Sequence, residues 1–170
     1  MATNLEFIKS VDVSSAVTNI DITDCFSDKY DVYAVTISDL DLANLSNVVI
    51  RFLDSTNTVI SATEYDNADL QVKSDSAFVE HRSTSQAQIQ YIASLGSVTA
   101  NSNGTVIYVY NPYDSSSYTF VQWQSSGYTG ALRGYKGIAV HKSAEQINGI
   151  RFFQQSGDTE QGLFSVYGVK

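Results

Sequence analysis

From residue 147 to residue 170 the chain reads INGIRFFQQSGDTEQGLFSVYGVK, and no other stretch limits its possible folds as much. Two short runs alternate apolar and polar residues around Ser156-Gly-Asp-Thr-Glu-Gln-Gly162, a segment with the chemistry of a hairpin loop. In the first run Ile150 and Phe152 share one face while Arg151 and Phe153 take the other. In the second, Phe164 and Val166 lie opposite Ser165 and Tyr167. Each arm has a face fit for a core, which predicts a β-hairpin at the end of the chain. A lone hairpin is marginal in water, so the rest of the chain must supply a larger sheet for it to join.

Composition agrees with that demand. Eleven tyrosines and eight phenylalanines, against one proline and one methionine in 170 residues, favour pleated sheet over helix, as does the abundance of Val, Ile, Thr and Ser. The length fits one domain over residues 1–170. Alternation places a first strand pair at 5–13 and 16–22, joined at Ser14-Ser15, and a central strand at 31–38. The segment 39–46 is too short for a helix and reads as a loop. A second hairpin follows, with arms 47–53 and 58–62 around Asp54-Ser-Thr-Asn57. A weaker strand over 63–72 leads into polar residues 73–86, read as a long surface loop.

Residues 87–94 return to strand, and Asn101-Ser-Asn-Gly104 is a turn. Strands at 105–110 and 118–124 flank the only proline, Pro112, and Trp123 belongs to the core face of the second. The glycine-rich stretch 125–137 suggests an exposed excursion or a bulged edge, before a strand at 137–141 and the terminal hairpin. About ten short strands at this spacing predict an all-β antiparallel sandwich, jelly-roll-like, with the C-terminal hairpin in the sheet.

Most chemistries find no support. A net charge of −8 and a pI near 4.5, with Lys and Arg scattered singly, argue against a nucleic-acid partner. No apolar run approaches the ~20 residues of a membrane span, and no export leader is visible, so a soluble protein is expected. Cys25, the single cysteine, excludes an internal disulfide and reads as a half-buried thiol. His81 and His141 show no HxH or HExxH spacing and read as surface or loop residues. No GxSxG elbow is present.

Asp21, Asp24, Asp28 and Asp31 lack the glycine and terminal glutamate of an EF-hand loop and read as a solvated acidic turn rather than a calcium site. Glu64 with Asp66, and Asp158 with Glu160, read as turn and edge residues rather than a glycosidase pair. Gly127, Gly130 and Gly134 precede no helix that could hold a phosphate. The expectation is therefore no catalytic residues, no cofactor and no metal ligands. Tyr113, Tyr118, Tyr128 and Tyr135, if exposed together, could stack on a sugar ring or fill a subunit interface.

Taken in order, LEFIKSVDVSS, YDVYAVTIS, VIRFLDSTNTVISATEYDNA, GTVIYVYNPYDSSSYTFVQWQ and the terminal IRFF…SG…G.FS.YG.K pattern resemble small β-sandwich virion structural proteins of tailed bacteriophages, marine ones especially. The resemblance spans almost the whole chain, and its most specific piece is the terminal pattern. It implies a non-enzymatic part of the particle, made in the host cytoplasm and located in the virion. Its partners would be the major capsid protein or other virion proteins, and it would form a homo-oligomer, with a trimer the first expectation. A chain without coiled coil or fibre repeat favours a capsid decoration (cement) protein that stabilises the shell by protein–protein contacts. The alternatives are a tail, neck or fibre module, or a glycan-binding sandwich contacting the host surface.

Overall fold

A computed structural model describes residues 4–95 and 103–170, and these form an antiparallel β-sandwich without a helix. Its strands are β1 (Leu5–Val13), β2 (Asn19–Ile22), β3 (Val32–Leu42), β4 (Ser46–Asp54), β5 (Tyr65–Lys73), β6 (Val79–Gln86), β7 (Ile89–Leu95), β8 (Gly104–Tyr110), β9 (Thr119–Tyr128), β10 (Leu132–His141), β11 (Ile147–Gln154) and β12 (Thr159–Val169). An eight-stranded sheet has the order β1-β12-β3-β8-β9-β10-β5-β6, and a four-stranded sheet the order β2-β11-β4-β7. The alternating strands put one apolar row of each sheet inward, and these rows form a single core that includes Ile22, Val35, Ile50, Phe52, Ile107 and Phe164. The β-sandwich expected from the alternation is therefore present, with twelve described strands in place of about ten.

The terminal pair is not a hairpin. β11 lies between β2 and β4 in the small sheet, whereas β12 lies between β1 and β3 in the large one. Residues 155–158 form an arch from one sheet to the other. The arch is held by the preceding β3–β4 turn: Ala43 N–H donates to the Asp158 carbonyl (3.0 Å), Gln155 N–H to the Asn47 carbonyl (3.1 Å), and Ser156 N–H to Ser46 Oγ (3.1 Å). Gln154 Nε2 also donates to the Asp158 carbonyl, and Gly157 takes a positive φ of 91°. The apolar faces read from the sequence survive this change. They meet across the core instead of side by side, with the Phe152 and Phe164 rings 5.1 Å apart.

Two further departures share a cause, which is that a strand with polar residues resembles a loop in sequence. β3 continues through Asp39 to Leu42 because Leu40 and Leu42 are fully buried, and Asp39 absorbs the irregular pairing with β12 at a positive φ of 51°. Residues 79–86 are the edge strand β6, paired with β5. The segments 5–13 and 16–22 do not pair: β1 joins β12 while β2 joins β11 in the other sheet. Residues 58–62 form no strand; they make a Leu53–Val59 bridge, flanked by bonds from Asp54 N–H to the Thr58 carbonyl and from Ile60 N–H to the Phe52 carbonyl. The turn between them is as expected, with Asp54 Oδ1 accepting from Thr56 N–H, Thr56 Oγ1 and Thr58 N–H. The Asn101–Gly104 turn falls largely outside the described residues.

The stretch 125–137 is neither an excursion nor an edge. It completes a regular β9–β10 ladder, from Tyr128 opposite Leu132 to Thr119 opposite His141, inside the large sheet. Gly137 leaves room for the ring of its cross-strand neighbour Trp123, which is buried and donates Nε1–H to the Tyr91 carbonyl (2.9 Å). Cys25 is buried rather than half-buried, and desolvation pushes its thiol up to about 12, leaving negligible thiolate at neutral pH.

Candidate functional site

The register of the large sheet aligns its outward side chains in cross-strand rows. In one row Tyr108 stands opposite Gln122, Gln122 opposite Ile138, and Ile138 opposite Ala68, which in turn faces Arg82. The next row runs from Thr36 through Val106, Gln124, Lys136 and Leu70 to Glu80. A third carries Tyr110 and Phe120, with Tyr110 Oη donating to Gln122 Oε1 (3.0 Å). Small residues such as Thr36, Ala68 and Gly104 lie among bulky ones, leaving a groove of about 1270 Å³ across β8, β9, β10, β5 and β6. A second hollow of about 910 Å³ shares Ala68, Arg82, Gln122 and Ile138 with it and extends toward Phe120 and Thr84.

Apolar side chains lie open on this face: Ile138 is 59% exposed, Phe120 48%, and Val106 and Tyr108 40% each. Around them Glu80, Arg82, Lys136, Gln122 and Gln124 provide charges and amide hydrogen-bonding groups. Exposed apolar and aromatic side chains set among amide and charged groups are the make-up of a contact surface. The inward side of β5 and β6 is different. There Asn67, Asp69 and Gln71 are buried, and Ser83 Oγ donates to Asn67 Oδ1 (2.8 Å) while Gln71 Nε2 donates to Tyr135 Oη (2.6 Å). This polar layer fixes the register of the outermost strands and so the shape of the groove above them.

Sequence reasoning did not single out this face. Its signal was present in β8, where Val106, Tyr108 and Tyr110 are apolar or aromatic on one side while Ile107 and Val109 already fill the other. A strand apolar on both sides in a two-layer sandwich has one apolar side left over.

The singled-out residues lie elsewhere. Tyr118 and Tyr128 are exposed but sit at opposite ends of β9, Tyr113 is half-buried, and Tyr135 is 3% exposed, so the four form no common platform. Neither histidine is a surface loop residue. His81 is half-buried on β6, with Nδ1 2.8 Å from Asp69 Oδ1 and its ring stacked on Tyr91 at 4.1 Å. Burial raises the Asp69 carboxyl pKa, and His81 opposes that shift. His141 is fully buried at the end of β10, its ring 4.8 Å from Tyr65 and 6.0 Å from Phe52.

The acidic residues of 21–31 do not converge on a common ligand site. Asp21 makes a two-point pair with Arg151, both bonds 2.6 Å, and Asp24 accepts from Asn57 Nδ2 (3.0 Å). Asp66 pairs with Lys142 (2.8 Å) and accepts from Ser85 N–H, whereas the Glu64 carboxylate lies beside His141. Asp158 contributes its main-chain carbonyl to the arch.

No family model matches the chain, and no curated protein matches it significantly in sequence. Among solved structures, an exo-inulinase from Aspergillus awamori superposes at a TM-score of 0.50 and 12% identity, over 96% of this chain and 29% of that one. This chain thus spans under a third of that enzyme. A marine PL-14 alginate lyase from Aplysia kurodai gives 0.40 at 7% identity, over 86% of this chain and 72% of that one. A congerin II single mutant gives 0.32 at 11% identity, over 93% and 99%. The first of these likenesses speaks to the sandwich fold alone.

Proposed function

We propose that this protein is a non-enzymatic structural component of a tailed-bacteriophage particle, in the first instance a capsid decoration protein that docks the outer face of its eight-stranded sheet onto a capsid protein. The observation that carries this reading is the set of exposed apolar side chains Val106, Tyr108, Phe120 and Ile138 along the two adjoining hollows, interleaved with Gln122 and Gln124. Free soluble domains seldom leave several large apolar side chains open together on one sheet face without a partner for them. The free edge at β6 is less suited to docking, since Glu80 and Arg82 put charge on it and discourage strand addition. Contact by the face, repeated over many copies, would stabilise a shell by mass action without chemistry.

Quantitative mass spectrometry of purified particles tests the placement, with a copy number that follows the capsid lattice expected. A handful of copies would move the protein to the tail or neck. Ile138→Lys is expected to reduce particle occupancy at least tenfold while shifting Tm by only about 2 °C, because the side chain points into solvent. Unchanged occupancy would dismiss this face as the docking surface.

A second reading rests on the polar groups beside those side chains. Tyr108 next to Gln122, with Gln124 and Lys136 in the adjoining row, combines an aromatic face with amide and ammonium donors, a set suited to a sugar ring. A glycan array is expected to show signal lost in Tyr108→Ala if this reading holds. An array at background would discard it.

A further inference from the structure

We propose that Glu64, His141 and Glu145 form a binding site for a divalent transition metal, with zinc the occupant that best suits one imidazole and two carboxylates. The three come together through the β5–β10 ladder. His141 ends β10 opposite Tyr65, the first residue of β5, so Glu64 immediately before β5 is brought alongside, and Lys142 N–H donates to the Glu64 carbonyl (2.8 Å). Glu145 returns to the same place from the link to β11. His141 Nε2 lies 3.3 Å from Glu64 Oε2 and 3.6 Å from Glu145 Oε1, and one donor atom from each residue falls within 4.8 Å of the others.

Independent of the carboxylates, the imidazole itself is anomalous. It is fully buried, yet neither Nδ1 nor Nε2 makes a hydrogen bond of acceptable geometry, and buried polar groups rarely go unpartnered. Tyr65 and Phe52 hold the ring by packing, so Nε2 is presented to the two carboxylates in one orientation. A histidinium clamped between two glutamates would be the simpler arrangement. Against it, Nε2 makes no hydrogen bond of acceptable geometry to either carboxylate, although a charged donor this close to two acceptors would be expected to make one. Lys142, the neighbouring cation, is committed to Asp66 at 2.8 Å. Among the described residues, the cluster thus has two carboxylates, an imidazole without a hydrogen-bond partner, and a neighbouring lysine already paired elsewhere.

Geometry favours zinc over hard cations. Ligand bonds of about 2.0–2.1 Å in a tetrahedron put donor atoms roughly 3.3–3.5 Å apart, close to two of the spacings already present. The remaining adjustment falls to glutamate side chains that are 39% and 35% exposed and free to turn, and water can fill the remaining position from that side. Calcium and magnesium call for a larger all-oxygen shell that this set does not supply. Bound zinc would tie the 142–146 link to the start of β5, next to the arch-forming strand β11.

The test uses the full chain stripped of metal with a chelator. Calorimetry is expected to find one zinc per chain, and Tm to rise by roughly 5–10 °C at zinc a hundredfold above Kd, with no rise in calcium or magnesium. Cobalt(II) is expected to show the visible absorption of a four-coordinate site. The Glu64→Gln/Glu145→Gln double variant, altered only at partly exposed side chains, should fold as before and lose at least a hundredfold in zinc affinity. His81→Gln should retain full affinity. Absence of stoichiometric zinc binding at micromolar concentrations, affinity unchanged in the double variant, or affinity lost in His81→Gln would each overturn the proposal.

Discussion

Phe164→Ala is expected to lower the unfolding free energy by about 3–5 kcal/mol, enough to consume a large part of the stability of a domain this size. Phe164 sits on β12 in the large sheet and is fully buried, and its ring lies 5.1 Å from that of Phe152 on β11 in the small sheet. These rings bridge the layers of the sandwich. Truncating either one removes apolar surface and leaves a cavity that two hydrogen-bonded sheets cannot collapse to fill. Urea denaturation should show the midpoint falling with little change in slope. The Phe152→Ala/Phe164→Ala double variant should be less destabilised than the sum of the singles by about 0.5–1.5 kcal/mol, the coupling expected of a ring pair. A single-variant loss under about 1 kcal/mol would show that the two sheets are not held together at this point.

Gly134→Ala is expected to cost about 3 kcal/mol or more, a large effect for one added methyl group. A Cβ at this position would overlap the Ser125 carbonyl oxygen and crowd Ser126 Cα, both main-chain atoms of the paired strand β9. Main chain in a ladder moves only by breaking hydrogen bonds, so no side chain can give way to relieve the overlap. Gly137→Ala meets the Trp123 ring instead, a side chain that could shift in principle but is buried and bonded to the Tyr91 carbonyl. Its cost should be smaller than that of Gly134→Ala and should come with a change in tryptophan fluorescence. Gly130→Ala, at a turn with a positive φ of 85° and open space around it, should cost only about 1 kcal/mol. Equal costs at positions 130 and 134 would mean that close strand approach is not what requires glycine in this hairpin.

These glycines show where sequence reading reaches its limit. Four glycines within 127–137 look like punctuation when neighbours in the sequence are the only neighbours known, and they suggested an excursion. In the folded protein Gly134 and Gly137 answer to residues across a strand, which no local rule supplies, and only Gly130 serves a turn. Similarly, the polar run 79–86 resembled a loop because an edge strand lying over a polar inner layer has no apolar stripe to reveal it. His141 looked unremarkable because its partners, Tyr65 and Phe52, are brought to it by the ladders of two different sheets.

Alternation of side chains along each strand was decided by the sequence alone. The two-residue period assigns inward and outward faces whatever the strand pairs with, so Ile150, Phe152, Phe164 and Val166 were correctly sent to the core. Which sheet each strand joins was decided only in three dimensions. Main-chain hydrogen bonds carry no residue identity, and β11 and β12 could have paired with each other had the turn at 43–47 not bound the loop between them and directed it across the sandwich. The groove and the Glu64–His141–Glu145 cluster likewise follow from ladder register, a property of pairs of strands that no single strand's sequence contains.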